Sequence, residues 1–187
     1  MTTEEYRKKK PVQIFLHYFK NHKRLFALDI GCAMLIALID LAFPLVTRKS
    51  LYDLLPNGKY GVFFGLMIGA AVFYVLRAVL NYIVCYFGHT FGIRVEADIR
   101  ADLFAHMQEL SYDFYDANRT GALMSRLTSD LFELTELAHH GPEDLLTSFV
   151  TIVGALIVMV SIRWELALVV GILIPIFLVV VMSMRKN

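Results

Sequence analysis

The chain has 187 residues, of which 57% are hydrophobic, and its formal net charge is +1. A soluble globular domain is only about 45–50% apolar, so the composition predicts an integral membrane protein. No stripe of basic residues interleaved with aromatic residues is found, which argues against nucleic-acid binding. Cys32 and Cys85 lie in apolar surroundings, and we interpret each as a small buried hydrophobe, with a disulfide or a ligand role as the alternative.

The first 24 residues are predicted to form a cytosolic N-terminus followed by an interfacial elbow helix. Residues 1–10 are polar and end in a basic run, which favours disorder or a place at the membrane surface. Proline is favoured in the first turn of a helix, so Pro11 is a candidate start. One helical face then carries four apolar residues: Val12, Phe15, Leu16 and Phe19. This spacing is typical of a helix lying in the headgroups, although the segment could also extend the next helix.

Residues 25–187 are predicted to form an all-α, polytopic membrane helix bundle. A helix needs about 20 apolar residues to cross a bilayer. Four stretches meet that need, at residues 25–46, 60–87, 143–162 and 166–184. Residues 88–140 continue the helical spacing with more charges and without proline, so they predict a hairpin of long helix extensions.

Prolines and turn residues predict where the spans are interrupted. Pro44 predicts a kink or the end of the first span. A polar loop is expected at residues 47–59, with a turn at the sequence Pro56-Asn57-Gly58. Pro142 and Pro175 predict kinks in the third and fourth spans.

The distribution of basic residues predicts the orientation. Thirteen Lys and Arg residues lie in residues 1–24, in residues 88–140 and at the C-terminal end, against four in the two other connections. Cytosolic segments are enriched in Lys and Arg. We therefore expect a multi-pass protein of the plasma (inner) membrane, with both termini and the hairpin in the cytosol.

The tip of the hairpin has the composition of a docking surface. Phe114 and Tyr115 offer rigid apolar area, and aromatic residues are enriched at the energetic centres of interfaces. Asn118 or Thr120 is a candidate cap for the outgoing helix, and Gly121 would allow a tight turn. The alternative is a solvated hairpin end without a partner.

The segment LSYDFYDANRTGALMSRLTSD, residues 110–130, resembles the first intracellular loop of type I ABC exporters. The family pattern is approximately L-S-x-x-F-[FY]-x-x-x-x-[TV]-G-x-[LI]-x-[SN]-R-[LV]-x-x-D. The resemblance implies a coupling helix at residues 111–117 that presses on the nucleotide-binding domains, and a third long helix that starts at Thr120. It assigns docking to Ser111, Tyr112, Phe114, Tyr115, Asp116, Asn118, Arg119, Thr120 and Gly121.

The resemblance also implies partners and cofactors. Exporters of this family have six spans, a second transmembrane subunit in a homodimer or heterodimer, and nucleotide-binding domains that hold ATP and Mg. This chain has four predicted spans and no G-x-x-x-x-G-K-[ST] motif. We therefore assign it no catalytic or cofactor-binding residue and expect the front portion of a transmembrane domain, while the complete family protein would be an ATP-hydrolysing translocase. The alternatives are a four-span channel subunit or sensor outside this family, or a truncated regulatory stub that pairs with full-length exporter subunits.

Three charged residues fall inside the predicted spans, where such groups usually face a bundle interior, a cavity or each other. Depths counted from the span ends put Asp29 and Arg77 at one level, so we predict that they pair. Asp40 has no opposite charge at its predicted level, and we expect it to bond to backbone or water, or to line the substrate path.

His139 and His140 stand where the third span begins. Adjacent residues point about 100° apart on a helix, so two such histidines rarely share one ion. We therefore assign no metal ligand from the sequence.

Overall fold

A computed structural model describes residues 11–184 of the chain, except for the side chains of Val12, Phe15 and a few others. The helices are α1 (Pro11–Asn21), α2 (Lys23–Lys49), α3 (Tyr60–Gln108), α4 (Tyr112–Ala117), α5 (Thr120–Ser125), α6 (Leu131–Ile162) and α7 (Trp164–Met184). A π-helical turn follows α2 at Ser50–Leu54, and another joins α5 to α6 at Arg126–Asp130. Residues 11–184 contain no strand, so the predicted all-α class is confirmed.

Among residues 11–184, four helical stretches are long and apolar enough to cross a membrane: Lys23–Leu54, Tyr60–Gln108, Thr120–Ile162 and Trp164–Met184. They contain the four stretches predicted from the sequence. The predictions for residues 1–10, and for the basic residues near the C-terminal end, lie outside the described residues.

The connection between the first two spans is shorter than predicted. Pro44 lies inside α2, and the chain stays helical to Leu54, so Pro44 does not end the helix. The turn occupies residues 55–59, where Asn57 Nδ2 donates to the carbonyl oxygen of Asp53 at 2.7 Å. Gly58 completes the turn with a φ of 66°, a conformation that glycine adopts without steric cost.

The two cysteines are free, and the prediction that both are buried is wrong. Cys85 is exposed and Cys32 is only partly buried. Apolar neighbours in a membrane helix do not predict burial, because the outer face of such a helix contacts lipid.

The chain divides into two compact units. The first unit joins the described residues up to Ala33 with Ala78–Leu145, and the second joins Met34–Arg77 with the described residues from Leu146.

The core of the first unit fastens α1 to α3. Six buried residues form one cluster: Tyr18, Phe19, Phe91, Val95, Ile99 and Leu131. The Phe19 ring lies edge-on to the Phe91 ring with centroids 4.8 Å apart. Tyr18 Oη also donates to Asp102 Oδ2 at 2.8 Å. Helix α1 is thus a separate helix packed through Phe19, while Leu16 of the predicted apolar face is 56% exposed; its place in the headgroups stays a prediction.

Within each unit, the segments of α2 and α3 pack against each other. In the first unit, Phe26 of α2 packs on Phe91 of α3 with ring centroids 5.3 Å apart. Asp29, three residues after Phe26, contacts Gly88, three residues before Phe91, so the two helices run antiparallel. In the second unit the ring of Phe43 lies 5.0 Å from that of Tyr74.

Candidate functional site

Helix α4 is a separate six-residue helix between the ends of two longer ones. Ser111 before it has φ −69° and ψ 159°, and Asn118 after it has φ −123° and ψ 132°. Both residues are therefore extended and break the helices on either side. A helix thus lies where the resemblance implies a coupling helix.

The aromatic pair of α4 holds this helix in place. Tyr115 Oη donates a hydrogen bond to the carbonyl oxygen of Met107, near the end of α3. The rings of Phe114 and Tyr115 are nearly perpendicular, with centroids 5.6 Å apart. Both side chains are half-buried. Phe114 and Tyr115, which the sequence assigns to docking, therefore also support α4 from inside the protein.

The outer surface of the α4 region is exposed. Tyr112 is 90% exposed, more than any other large hydrophobic residue among those described. Seven of the nine residues predicted to dock are exposed: Ser111, Tyr112, Asp116, Asn118, Arg119, Thr120 and Gly121. The structure therefore brings the predicted residues together on one short segment, and it makes Tyr112 the aromatic side chain best placed for a partner.

Two local predictions for this segment are wrong. Asn118 does not cap the outgoing helix, because its Nδ2 donates back to the carbonyl oxygen of Phe114 at 2.8 Å and closes α4. Thr120 is the first residue of α5, and Arg119 before it makes no side-chain cap. Gly121 lies within α5 and has no positive φ, so it makes no tight turn.

A second contact ties the extensions together. Arg100 Nε donates to the carbonyl oxygen of Leu127 at 3.1 Å, in the π-helical turn between α5 and α6. Arg100 also bonds to Glu96 one turn away. The Arg100 guanidinium thus joins α3 to the π-helical turn that leads into α6.

The charged residues of the spans pair differently from the prediction. Arg77 binds Asp40 through two hydrogen bonds, Nε to Oδ1 at 2.6 Å and Nη2 to Oδ2 at 2.9 Å. The predicted Asp29–Arg77 pair is wrong, as is the prediction that Asp40 lacks a charged partner. The predicted depth of Arg77 depends on a span end near residue 87, but α3 continues without interruption to Gln108. The depth of Arg77 in the membrane is therefore not defined by that position, and the predicted pairing with Asp29 fails.

Asp29 instead belongs to a buried polar cluster of the first unit. Its side chain is fully buried, and Oδ2 lies 3.5 Å from Nδ1 of His139, which is also buried. Gly88 makes room for the imidazole, because a β-carbon at this position would come within 2.5 Å of His139 Nε2. His89, which is not among the residues predicted from the sequence, also lies beside this cluster, with its ring centroid 5.7 Å from that of His140. The sequence does carry a signal for this residue, because His89 follows Gly88 within a largely apolar stretch of helix.

The match to a family model covers most of the chain. Residues 26–187 match the model of the ABC transporter transmembrane region. The chain belongs to this family, and the alternative of a four-span protein outside it is wrong.

Individual relatives agree with the family. The chain is 45% identical over 173 residues to the ABC transporter ATP-binding protein YwjA of Bacillus subtilis, covering 92% of this chain and 30% of the relative. It is 29% identical over 172 residues to the ATP-dependent lipid A-core flippase of Thiobacillus denitrificans, covering 92% of this chain and 30% of the relative. The chain thus spans about a third of the length of the curated relatives it matches.

Proposed function

We propose that this chain is the membrane-spanning part of an ATP-driven exporter and that α4 is the surface on which a nucleotide-binding domain docks. The observation that carries this proposal is a separate short helix, fastened by Tyr115 and presenting Tyr112 outward. Movement of a docked domain would reach the spans through α3 and through the helical stretch that begins at Thr120.

The length of α3 supports a role outside the bilayer. This helix has 49 residues, which corresponds to about 74 Å at 1.5 Å per residue. The hydrocarbon core of a membrane is only about 30 Å thick. Helix α3 therefore has more than twice the length needed for crossing, and the surplus is explained if it carries α4 to a partner in water.

The remaining parts of the proposal follow from charge and family. The excess of Lys and Arg supports a plasma (inner) membrane location in which both ends of the chain and α4 face the cytosol. A second transmembrane subunit would complete the substrate path, and ATP with Mg would be bound by the nucleotide-binding domains of the complete transporter. Relatives are named for ATP binding and for lipid A-core flipping; no substrate is assigned to this chain.

The test uses the assembled transporter that contains this chain, reconstituted in lipid. A fluorophore on the connection at residues 55–59 would report ATP-driven movement of the spans, and phosphate release would report hydrolysis. We expect Phe114→Ala/Tyr115→Ala, and Tyr112→Ala alone, to reduce movement per ATP about tenfold or more, since interface residues of this kind often contribute over 1.4 kcal/mol.

A matched control is the adjacent exposed pair Leu51 and Tyr52, which lie in the π-helical turn just before the connection at residues 55–59. Leu51→Ala/Tyr52→Ala should leave movement per ATP unchanged. Unchanged coupling in Tyr112→Ala and in the Phe114/Tyr115 double variant would refute docking at α4.

A further inference from the structure

The buried polar cluster of the first unit contains side chains that lack the partners they require. Both carboxylate oxygens of Asp29 and Nδ1 of His139 have no hydrogen bond to any of the described residues. Asp29 is 0% exposed and His139 is 2% exposed. A buried carboxylate without a hydrogen bond or a counter-charge is costly, and buried charges in proteins are normally paired or coordinate metals.

Further ligand groups converge on the same point. Glu143 is one turn after His139 on α6, with Oε2 4.0 Å from His139 Nε2 and 3.8 Å from His140 Nδ1. One ligand atom each from Asp29, His139 and Glu143 can be chosen so that all three lie within 4.8 Å of one another. Ligands bound to zinc at about 2.0–2.2 Å in tetrahedral geometry are separated by roughly 3.3–3.6 Å, so small side-chain rotations would close the set.

Adjacent histidines in one helix do not exclude this site. Helix geometry predicts that His139 and His140 point apart, so the sequence alone indicates no metal ligand. In the structure their ring centroids are 4.6 Å apart, and Glu143 lies near both. His139 nevertheless suffices as the imidazole ligand, with carboxylates from α2 and α6.

We propose that Asp29, His139 and Glu143 form a binding site for a divalent transition-metal ion, with zinc as the representative ion. An imidazole with two carboxylates suits zinc and its first-row neighbours, whereas Mg²⁺ prefers oxygen ligands and retains its water. Because Asp29 is on α2 and the other two ligands are on α6, a bound ion would clamp these helices together beside Gly88 of α3. This proposal does not depend on docking at α4.

The test is metal binding by the purified, tag-free membrane protein in lipid nanodiscs. We expect elemental analysis after dialysis to give one Zn²⁺ per chain. Bound Co²⁺ should show the visible absorption typical of a low-coordinate site of nitrogen and oxygen ligands. The Tm should rise with Zn²⁺ but not with Mg²⁺. Asp29→Asn and, separately, Glu143→Gln should each weaken Zn²⁺ binding about tenfold or more. His106→Gln, an exposed histidine outside the cluster, is the matched control and should bind like the original chain.

Several outcomes would overturn the proposal. The first is that the unsubstituted chain retains no zinc and shows no Zn²⁺-specific rise in Tm. This result does not depend on whether any variant folds. The second is loss of binding in His89→Gln while Asp29→Asn and Glu143→Gln still bind, since the ion would then lie among the three imidazoles His89, His139 and His140. Full binding in both carboxylate variants would equally contradict it.

Discussion

The chain joins its long helices in two different ways. In the second unit, a five-residue turn at 55–59 leads into α3, and Arg163 alone separates α6 from α7. In the first unit, the connection between α3 and α5 runs from residue 109 to 119 and contains the whole of α4. All three connections reverse or redirect the chain between long helices, yet only one of them contains a helix of its own.

This difference separates what is needed to connect two helices from the additional structure of α4. A turn with Gly58 at positive φ, or a single residue, is enough to connect two helices. The six residues of α4 and their support by Tyr115 are therefore not needed to continue the chain. The proposed docking of a nucleotide-binding domain would explain them, and variants that change one connection or one unit test this contrast.

The largest effect is expected from removing α4 while keeping the chain length. Replacing residues 112–117 by a glycine-serine linker should leave the apolar spans folded, because none of the four stretches that can cross a membrane includes these residues. Coupling of ATP hydrolysis to movement should fall about tenfold or more. The same replacement at residues 55–59 should lower the Tm but preserve coupling; equal loss of coupling from both replacements would contradict the contrast between the connections.

The second unit should depend strongly on the pair Arg77 and Asp40. Arg77→Ala leaves an unpaired carboxylate within a span, which should lower the free energy of unfolding by about 2–3 kcal/mol. Arg77→Lys should recover part of this, because lysine cannot form the two parallel bonds that arginine makes. Unfolding in lipid by urea measures the change. Arg77→Ala/Asp40→Asn should be more stable than Arg77→Ala, because it also removes the unpaired charge. Equal stability of the two variants would show that loss of the ion pair does not cause the destabilisation.

Gly58, in the turn at residues 55–59, and Gly121, in α5, should differ in how far glycine is required. Gly58→Ala places a β-carbon on a residue with φ 66°, which should cost about 1–2 kcal/mol. Gly121→Ala should cost nothing and add up to about 1 kcal/mol of stability, since Gly121 lies in α5 with open space around it. Thermal unfolding of both variants measures the difference, and destabilisation by Gly121→Ala would show that its surroundings are not open.

The smallest effect is expected from one hydroxyl group in the first unit. Tyr115→Phe removes the hydrogen bond to the carbonyl oxygen of Met107 and should cost about 0.5–1 kcal/mol. Amide hydrogen exchange within α4 should rise correspondingly. Tyr112→Phe is the matched control, because Tyr112 is 90% exposed, and faster exchange in both variants would show that the Tyr115 bond does not hold α4.

The sequence predicts the elements of this fold better than its contacts. Four apolar stretches without strand signals were enough for the all-α class, and the segment around Phe114 and Tyr115 located α4. The sequence could not set the register of α2 on α3, which depends on tertiary packing, so Asp29 was paired with the wrong residue. It also could not show that Gly88 lets His139 approach Asp29, because this closeness arises only when helices far apart in the chain pack together.

Docking at α4 is tested most directly by cross-linking in the assembled transporter. A photoreactive amino acid at position 112 should form a covalent product with a nucleotide-binding domain upon illumination. The same amino acid at Tyr52, which is 81% exposed in the π-helical turn just before the connection at residues 55–59, should not form that product. A cross-link from position 52 and none from position 112 would contradict the account, because the partner would then contact the end of the first span and not α4.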